Sequence, residues 1–134
     1  MKYLFAAFLA AHALIHASFL TPAPPRTADG PAWPFELTRS WLVSGLHLDP
    51  GLVRALGLAV VLATVLLLGL AALSSIGWLP TAWWTGLVTA GAAASLVTLT
   101  LFFHPWLVLG IVIDLALLWA LVVARWAPFG AGAS

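Results

Sequence analysis

Two histidines in the first apolar run of the chain, His12 and His16, have the clearest capacity for chemistry. Their four-residue spacing puts both imidazoles on one face of a helix, where they can bind one metal ion together. The residue after His12 is alanine rather than glutamate, so the motif of helical zinc hydrolases is absent. A single histidine is better explained as a hydrogen-bonded residue between helices, but two together in hydrocarbon indicate a function about as strongly as a structural role.

Asp114 is the strongest single indication of a site, because it is the one formal charge inside an apolar run, the other eight lying outside the runs or at their ends. A carboxyl group at that depth must be protonated, paired or coordinated, and its insertion costs about 2.5–3.5 kcal/mol. Gly110 lies one turn earlier on the same face and leaves space beside the carboxyl for another backbone or a ligand. The alternative is a neutral acid that hydrogen-bonds to a serine or threonine across the bundle and has no further role.

Four apolar runs must position these residues, and each is about as long as the roughly 20 residues that a helix needs to cross a bilayer. The runs predict helices over about 3–20, 52–73, 82–103 and 106–126. With short connections between the later helices, the fold class is all-α, an integral membrane four-helix up-down bundle. Residues 1–134 then form a single transmembrane domain with both termini on the same side of the membrane.

One long loop, residues 21–49, joins the first two helices and begins with a proline-rich segment. Its first half is expected to be extended. Its second half, residues 36–44, mixes apolar and polar side chains as a short helix in the membrane interface would. Asp49 followed by Pro50 predicts a capped start for the second transmembrane helix.

The third apolar run carries a repeat of small residues at every fourth position: Gly86, Ala90, Ala94 and Thr98. Small side chains let neighbouring membrane helices approach closely. The repeat therefore predicts a packing surface on the third transmembrane helix rather than a chemical site.

The depths of the polar residues can be compared, because the first and fourth helices of an up-down bundle run in opposite directions. At 1.5 Å per residue, His12 and Asp114 lie about 12 and 13 Å from the long-loop ends of their helices, so they reach one level. His16 and His104 lie nearer to the long loop, and His47 lies within it. We therefore predict a polar funnel that opens towards the long-loop side, with His12 and Asp114 at its floor.

The composition sets these residues in a membrane. Of the 134 residues, 63% are hydrophobic and only 7% are charged, whereas soluble domains have about 25% charged residues. A net charge of +1 provides no basic surface for phosphates, which excludes nucleic acid as a partner. The chain has no cysteine, so disulfides, thiolate metal sites and iron–sulfur clusters are excluded.

The orientation rests on the start of the chain, where Lys2 precedes an apolar run in the manner of a signal anchor. This favours an N-terminus inside the cell and a long loop outside, although the arginines of the loop favour the reverse. The expected location is a bacterial inner (plasma) membrane.

The stretch His12-Ala13-Leu14-Ile15-His16 resembles a His-Gly-x-Ile-His type motif in the first helix of a family of small bacterial membrane proteins with four transmembrane helices. In the last helix of that family a glycine is followed four residues later by asparagine, where this chain has Gly110 and Asp114. His104 stands where the family usually has tryptophan. The resemblance covers most of the chain, and it implies a four-helix fold and an intramembrane histidine pair without implying a particular activity.

The first functional hypothesis is a site for a metal ion or redox cofactor. His12, His16 and Asp114 supply a two-histidine, one-carboxylate set that suits zinc, iron or manganese, with His104 as a further ligand and Gly110 beside the site. Haem is less favoured, because two ligands on one helix cannot reach opposite faces of the iron. It would require His104 or a second subunit.

Two alternatives stay open. One is a proton-coupled transporter of a small solute, in which Asp114 titrates and the histidines relay protons, with at least two copies of the chain. The other is a non-catalytic membrane subunit or lipid-binding scaffold of a larger complex, in which the polar residues only hold helices together. In every case the lipid bilayer is a partner, and the sequence contains no paired carboxylates, serine triad or phosphate-binding loop that would indicate an enzyme.

Overall fold

Four helices in the structure are long and apolar enough to cross a membrane: Lys2–Leu20, Pro50–Ile76, Thr81–Leu101 and Pro105–Val123. The structure is a computed structural model that describes residues 1–25, 32–126 and 128. Within these residues all regular secondary structure is helical. The predicted all-α fold, a multi-pass integral membrane protein with a four-helix bundle, is confirmed. Residues 26–31 of the predicted extended segment lie outside the described residues.

Among the described residues, four α-helices with tighter or wider turns make up these spans, and a fifth, short α-helix lies in the long loop. The α-helices are α1 Lys2–Ala17, α2 Trp41–Leu46, α3 Pro50–Ile76, α4 Trp84–Leu101 and α5 Val108–Leu118. Short 3-10 turns extend or precede three of them, at Ser18–Leu20, Thr81–Trp83 and Pro105–Leu107. A π-helical turn, Trp119–Val123, continues α5.

Both ends of α3 are fixed by local chemistry. Asp49 Oδ1 accepts a hydrogen bond from the Leu52 amide at 2.8 Å, and Pro50 is the first helical residue, as the sequence predicts. The helix extends past the predicted end at residue 73, and in the added turn Ser75 donates its hydroxyl to the Ala71 carbonyl of the same helix. It ends at Gly77, whose φ of +86° suits glycine.

The short helix α2 ties the long loop to the end of α4. Ser40 Oγ accepts from the Leu42 amide, so the helix begins at Trp41 and not at the start of the predicted segment, residues 36–44. Ser40 Oγ also donates to the Leu101 carbonyl at 2.8 Å, and Trp41 Nε1 donates to the Thr100 carbonyl at 2.9 Å. These bonds hold the second half of the loop against the bundle.

The bundle is built around α3, which packs against both α1 and α4, while α5 packs against α4. Its core has two apolar parts. The Trp84 cluster contains Leu9, Ala13, Leu68, Ala71, Ala72, Trp84, Val88, Ala92, Leu117 and Leu121. The Phe19 cluster contains Phe19, Leu37, Val53, Val61, Leu99, Phe102 and Leu107. The first part lies near the start of α1, and the second lies under the long loop.

The packing face of α4 differs from the predicted one. Gly86 and Ala90 are exposed, whereas Thr98 is buried. The buried residues of α4 are Trp84, Val88, Gly91, Ala92, Ser95, Thr98 and Leu99. Residues spaced by four drift by about 40° per step around a helix of 3.6 residues per turn, so a long four-residue repeat cannot stay on one face.

We expect Gly91→Ala to destabilise the contact between α3 and α4, because a Cβ at Gly91 would lie 2.7 Å from Leu68 Cδ2 and 3.3 Å from the Leu68 amide nitrogen. The expected loss is about 1–3 kcal/mol of unfolding free energy, measured by denaturation in detergent. Gly86→Ala is the matched control, since nothing lies within 4 Å of its Cβ position. Equal effects of the two substitutions would contradict the packing described here.

Candidate functional site

Three helices bring four polar side chains together in the middle of the bundle. α1 contributes His12 and His16, α4 contributes Ser95, and α5 contributes Asp114. Their exposed fractions are 4%, 1%, 0% and 0% in that order. We call these four residues the polar cluster. The predicted common depth of His12 and Asp114 is confirmed by their direct contact.

The members of the polar cluster are joined by four close hydrogen bonds and by a longer contact of 3.5 Å between Ser95 Oγ and His12 Nε2. His12 Nε2 lies 2.9 Å from Asp114 Oδ1, and Ser95 Oγ is bonded to the other carboxyl oxygen, Oδ2. Ser95 Oγ also lies 2.8 Å from His16 Nε2. His16 Nδ1 lies 3.1 Å from the His12 carbonyl oxygen, which closes the set of bonds back onto α1. The polar cluster thus connects α1, α4 and α5.

The partners restrict where the protons can be. His16 Nδ1 faces a carbonyl oxygen, which only accepts, so Nδ1 carries a proton and donates it. His12 Nε2 faces a carboxyl oxygen and is protonated in the same way when the carboxyl accepts. Ser95 has one hydroxyl proton for two neighbours, Asp114 Oδ2 and His16 Nε2. It can donate to only one of them and must accept from the other.

Two complete hydrogen-bond arrangements are possible, because Ser95 can donate its one proton either to His16 or to Asp114. In the neutral one, protonated Asp114 donates to Ser95, and Ser95 donates to His16 Nε2. In the charged one, Ser95 donates to the Asp114 carboxylate and accepts from His16, which is then an imidazolium. The two differ by the transfer of one proton from Asp114 to Ser95 and one from Ser95 to His16. Both satisfy all of the hydrogen bonds, so the polar cluster can move a proton without leaving a buried group unpaired.

Apolar side chains close the polar cluster on the long-loop side. Phe19 packs with its ring centroid 6.3 Å from that of His16, and Phe102 packs against Phe19 at 6.5 Å. The Phe19 cluster also includes Leu37 from the long loop, which folds back over the helix ends. The predicted open polar funnel is therefore not formed, because the loop supplies an apolar cover that the sequence of the helices alone does not specify.

The other histidines lie apart from the polar cluster. His104 caps the last span, where its Nδ1 accepts from the Trp106 amide at 3.2 Å. It makes no hydrogen bond to the polar cluster among the described residues. His47 is exposed at the end of α2, in the left-handed conformation with φ of 56°.

Gly110 lies one turn before Asp114 and faces α4 rather than open space. A Cβ at Gly110 would lie 2.8 Å from Leu99 Cδ1. The absence of a side chain therefore admits Leu99 and allows α5 to approach α4 closely. Its predicted place beside a cofactor stays a prediction.

The metal ligands predicted from the sequence are partly assembled. Three of them, His12, His16 and Asp114, meet in the polar cluster, whereas His104 does not. Across residues 1–25, 32–126 and 128, no group of three His, Cys, Asp or Glu side chains has an arrangement that would hold a metal ion. The donor atoms of the three are instead engaged in the hydrogen bonds described above.

Ser95 and His16 form a hydroxyl–imidazole pair, which raises the question of a nucleophilic serine. In a catalytic triad the acid binds the far nitrogen of the histidine and orients it. Here Asp114 binds the serine hydroxyl itself, and the far nitrogen of His16 binds a backbone carbonyl. Ser95 is also completely buried. The geometry does not favour acyl transfer.

Ser95 is the member of the polar cluster that the sequence interpretation did not identify, although a serine or threonine partner for Asp114 was considered. The depth argument used for Asp114 would have found it. Ser95 lies eight residues before the predicted helix end at residue 103, or about 12 Å, which is the level of His12 and Asp114. Serine is common in membrane helices as a packing residue, so its type alone gives little signal.

Comparison with protein-family models, with curated proteins and with solved structures finds no match to this chain. The interpretation of the polar cluster consequently rests on its own geometry.

We expect Ser95→Ala to destabilise the protein by about 1–2 kcal/mol, because His16 Nε2 and Asp114 Oδ2 would both lose their bridging partner. The measurement is the unfolding free energy in detergent. Thr98→Val is the matched control, since the Thr98 hydroxyl donates only to the Ala94 carbonyl of its own helix. A neutral effect of Ser95→Ala, or an equal effect of the control, would contradict the bridging role.

Proposed function

We propose that this membrane protein is a proton-coupled transporter of a small solute, and that the polar cluster is its protonation site. The observation that carries the proposal is the pair of complete hydrogen-bond arrangements available to His12, His16, Ser95 and Asp114. The proposed setting is a bacterial plasma membrane, with at least two copies of the chain, because four helices are few for alternating access.

The chemical types in the polar cluster support this proposal over a purely structural role. A structural role would not require titratable side chains, because hydroxyl groups are sufficient to join membrane helices. Buried hydroxyls can also be satisfied within their own helix, as those of Thr64 and Thr98 are. An aspartate at the centre of a span costs about 2.5–3.5 kcal/mol, and here it is surrounded by two further titratable groups. Such a combination is typical of intramembrane proton relays.

Because the polar cluster is buried, a change in its protonation state is expected to alter how the helices pack around it. The titratable groups of the polar cluster are His12 and His16 from α1 and Asp114 from α5, and α4 contributes the Ser95 hydroxyl. No other described charged side chain faces it. An added proton would therefore give the site a net charge in an apolar medium, and it would favour a packing of α1 that exposes the histidines to water.

The enclosure of the polar cluster fits one step of such a cycle. The Phe19 cluster separates it from the long loop, and the Trp84 cluster separates it from the opposite end. A transporter must keep its central site closed to at least one side at any time. The described conformation corresponds to the closed form, and proton exchange with water requires a change in the contacts of Phe19 or Phe102.

A second candidate function, metal binding, is favoured by one feature of the geometry. Ser95 Oγ lies 2.8 Å from His16 Nε2 and 3.5 Å from His12 Nε2, and it is bonded to Asp114 Oδ2. The three donor atoms thus surround one point, although not at metal-ligand distances. With the serine side chain rotated away and the donors moved inward, a zinc, iron or manganese ion would have a two-histidine, one-carboxylate set.

Elemental analysis separates the two candidates. Protein purified in detergent is compared with His12→Ala/Asp114→Ala. Metal present in equal amount to the wild-type chain and absent from the variant would favour the metal site. A metal-free wild type is the result expected for a proton site.

We expect Asp114→Asn to abolish proton uptake and release at the polar cluster, because an amide cannot pass the proton to Ser95. The measurement is the pH-dependent infrared difference spectrum of the reconstituted protein, in which a protonated carboxyl group in the membrane gives its own carbonyl band. That band should disappear in Asp114→Asn. Asp49→Asn is the matched control, since Asp49 is an exposed helix cap.

Proton flux into vesicles tests the proposed transport itself. Vesicles that contain the wild type are expected to acidify when a proton gradient is applied together with a mixture of amino acids and sugars as trial solutes, and vesicles with Asp114→Asn are not. A wild-type spectrum without a pH-dependent buried carboxyl band, or flux retained in Asp114→Asn, would overturn the proposal.

A further inference from the structure

An aromatic groove lies at the end of the bundle away from the long loop, where the first turns of α1 meet the segment after the π-helical turn. It has a volume of about 410 Å³ and is lined by Met1, Leu4, Phe5, Phe8, Trp126 and Pro128. The ring centroids of Phe5 and Trp126 are 5.3 Å apart, and those of Phe5 and Phe8 are 5.9 Å apart. We call it the Phe5 groove. Its volume falls in the range of small-ligand sites.

The walls of the Phe5 groove are apolar, but two of its lining residues, Met1 and Trp126, each have a cationic residue as their neighbour in the chain. Lys2 directly follows Met1 in the chain, and Arg125 directly precedes Trp126, and both are exposed. In the described part of the chain neither forms an ion pair with a carboxylate, and Lys2 Nζ lies over the Tyr3 ring at 5.3 Å from its centroid. The described acidic residues are elsewhere: Asp114 is in the polar cluster, and Glu36 and Asp49 are in the long loop.

At the opposite end of the bundle the charges of the described residues are balanced. There Arg39 forms an ion pair with Glu36, with Arg39 Nε 3.1 Å from Glu36 Oε2. Asp49 and Arg54 provide one further charge of each sign. The net positive charge of the described residues is therefore at the end of the bundle that carries the Phe5 groove.

We propose that the Phe5 groove binds an anionic phospholipid, with one acyl chain against Phe5, Phe8 and Trp126 and the phosphate near Lys2 and Arg125. The apolar walls match an acyl chain, and the two cations match a negative headgroup by charge complementarity. A zwitterionic lipid would satisfy the walls but would gain little from the cations. Each cation is expected to increase the affinity for the anionic lipid by about fivefold at low ionic strength.

The lipid site is independent of the proposed transport function, although the two are adjacent. Phe8 lines the groove and also stacks on His12, with the ring centroids 6.2 Å apart and the ring planes 11° apart. A bound acyl chain would thus lie one ring away from the polar cluster. Either proposal can fail while the other holds, because the lipid test does not use proton exchange.

Fluorescence quenching tests the lipid site. The full chain is reconstituted into phosphatidylcholine vesicles that contain increasing fractions of dibrominated phosphatidylglycerol, or of dibrominated phosphatidylcholine as the neutral probe. The Trp126 signal is obtained by subtracting the fluorescence of Trp126→Phe under the same conditions. Brominated chains quench tryptophan only at contact, so the wild type should be quenched at a lower fraction of the anionic probe than of the neutral one.

Charge-removal variants give the control. Lys2→Gln/Arg125→Gln is expected to weaken the anionic preference by about 20-fold to 30-fold, the product of two fivefold effects. Arg39→Gln/Arg54→Gln removes two cations from the opposite end and should keep the preference. If the first double variant does not fold, the two single substitutions are compared, each with an expected loss of about fivefold.

Three outcomes would overturn the proposal. The first is equal quenching of the wild type by the two brominated lipids. The second is the same loss of preference in both double variants, which would indicate a general effect of charge. The third is a quenching that falls as the protein-to-lipid ratio rises, which would indicate that a second copy of the chain covers the groove.

Discussion

A carboxyl group and two imidazoles in the middle of a membrane must find their hydrogen-bond partners inside the protein, and this requirement determines how α1, α4 and α5 meet. The bond between His12 and Asp114 sets the relative depth of α1 and α5. Ser95 adds α4 at the same level, because its hydroxyl reaches both Asp114 and His16. A slide of one helix by a single turn, about 5.4 Å, would break all of these contacts.

The apolar core packs on both sides of the polar cluster along the bundle axis. The Trp84 cluster and the Phe19 cluster exclude water on its two sides, so the hydrogen bonds act in a medium of low dielectric. α3 contributes no member of the polar cluster, but it packs against α1 and α4 and holds them in place. The same enclosure makes an unpaired partner costly, which is why a single hydroxyl has such influence on the site.

The features that could be predicted from the sequence depend on the length of an apolar run or on the distance of a residue from its helix end. Apolar length predicts the four spans, and counting residues from the helix ends predicts the contact of His12 with Asp114. The rotation of α4 was not predictable in the same way, because its apolar and small residues occur on all sides and no polar face marks the outside. The apolar cover over His16 was also missed, since it depends on Leu37 of the long loop returning to Phe19 and Phe102.

The π-helical turn Trp119–Val123 is equivalent to the insertion of one residue into an α-helix. One residue corresponds to a rotation of about 100°, so the chain leaves the helix at Val123 rotated by about that angle relative to an uninterrupted α-helix. Trp126 follows this turn and the left-handed Arg125, with φ of 50°, and from there it contacts Phe5. Deletion of a single residue from the turn would carry Trp126 and its neighbour Arg125 away from α1 while the register of Asp114, one turn earlier, stayed unchanged. The last span thus sets the position of Asp114 in the bundle interior separately from the positions of Arg125 and Trp126 at the end of the bundle.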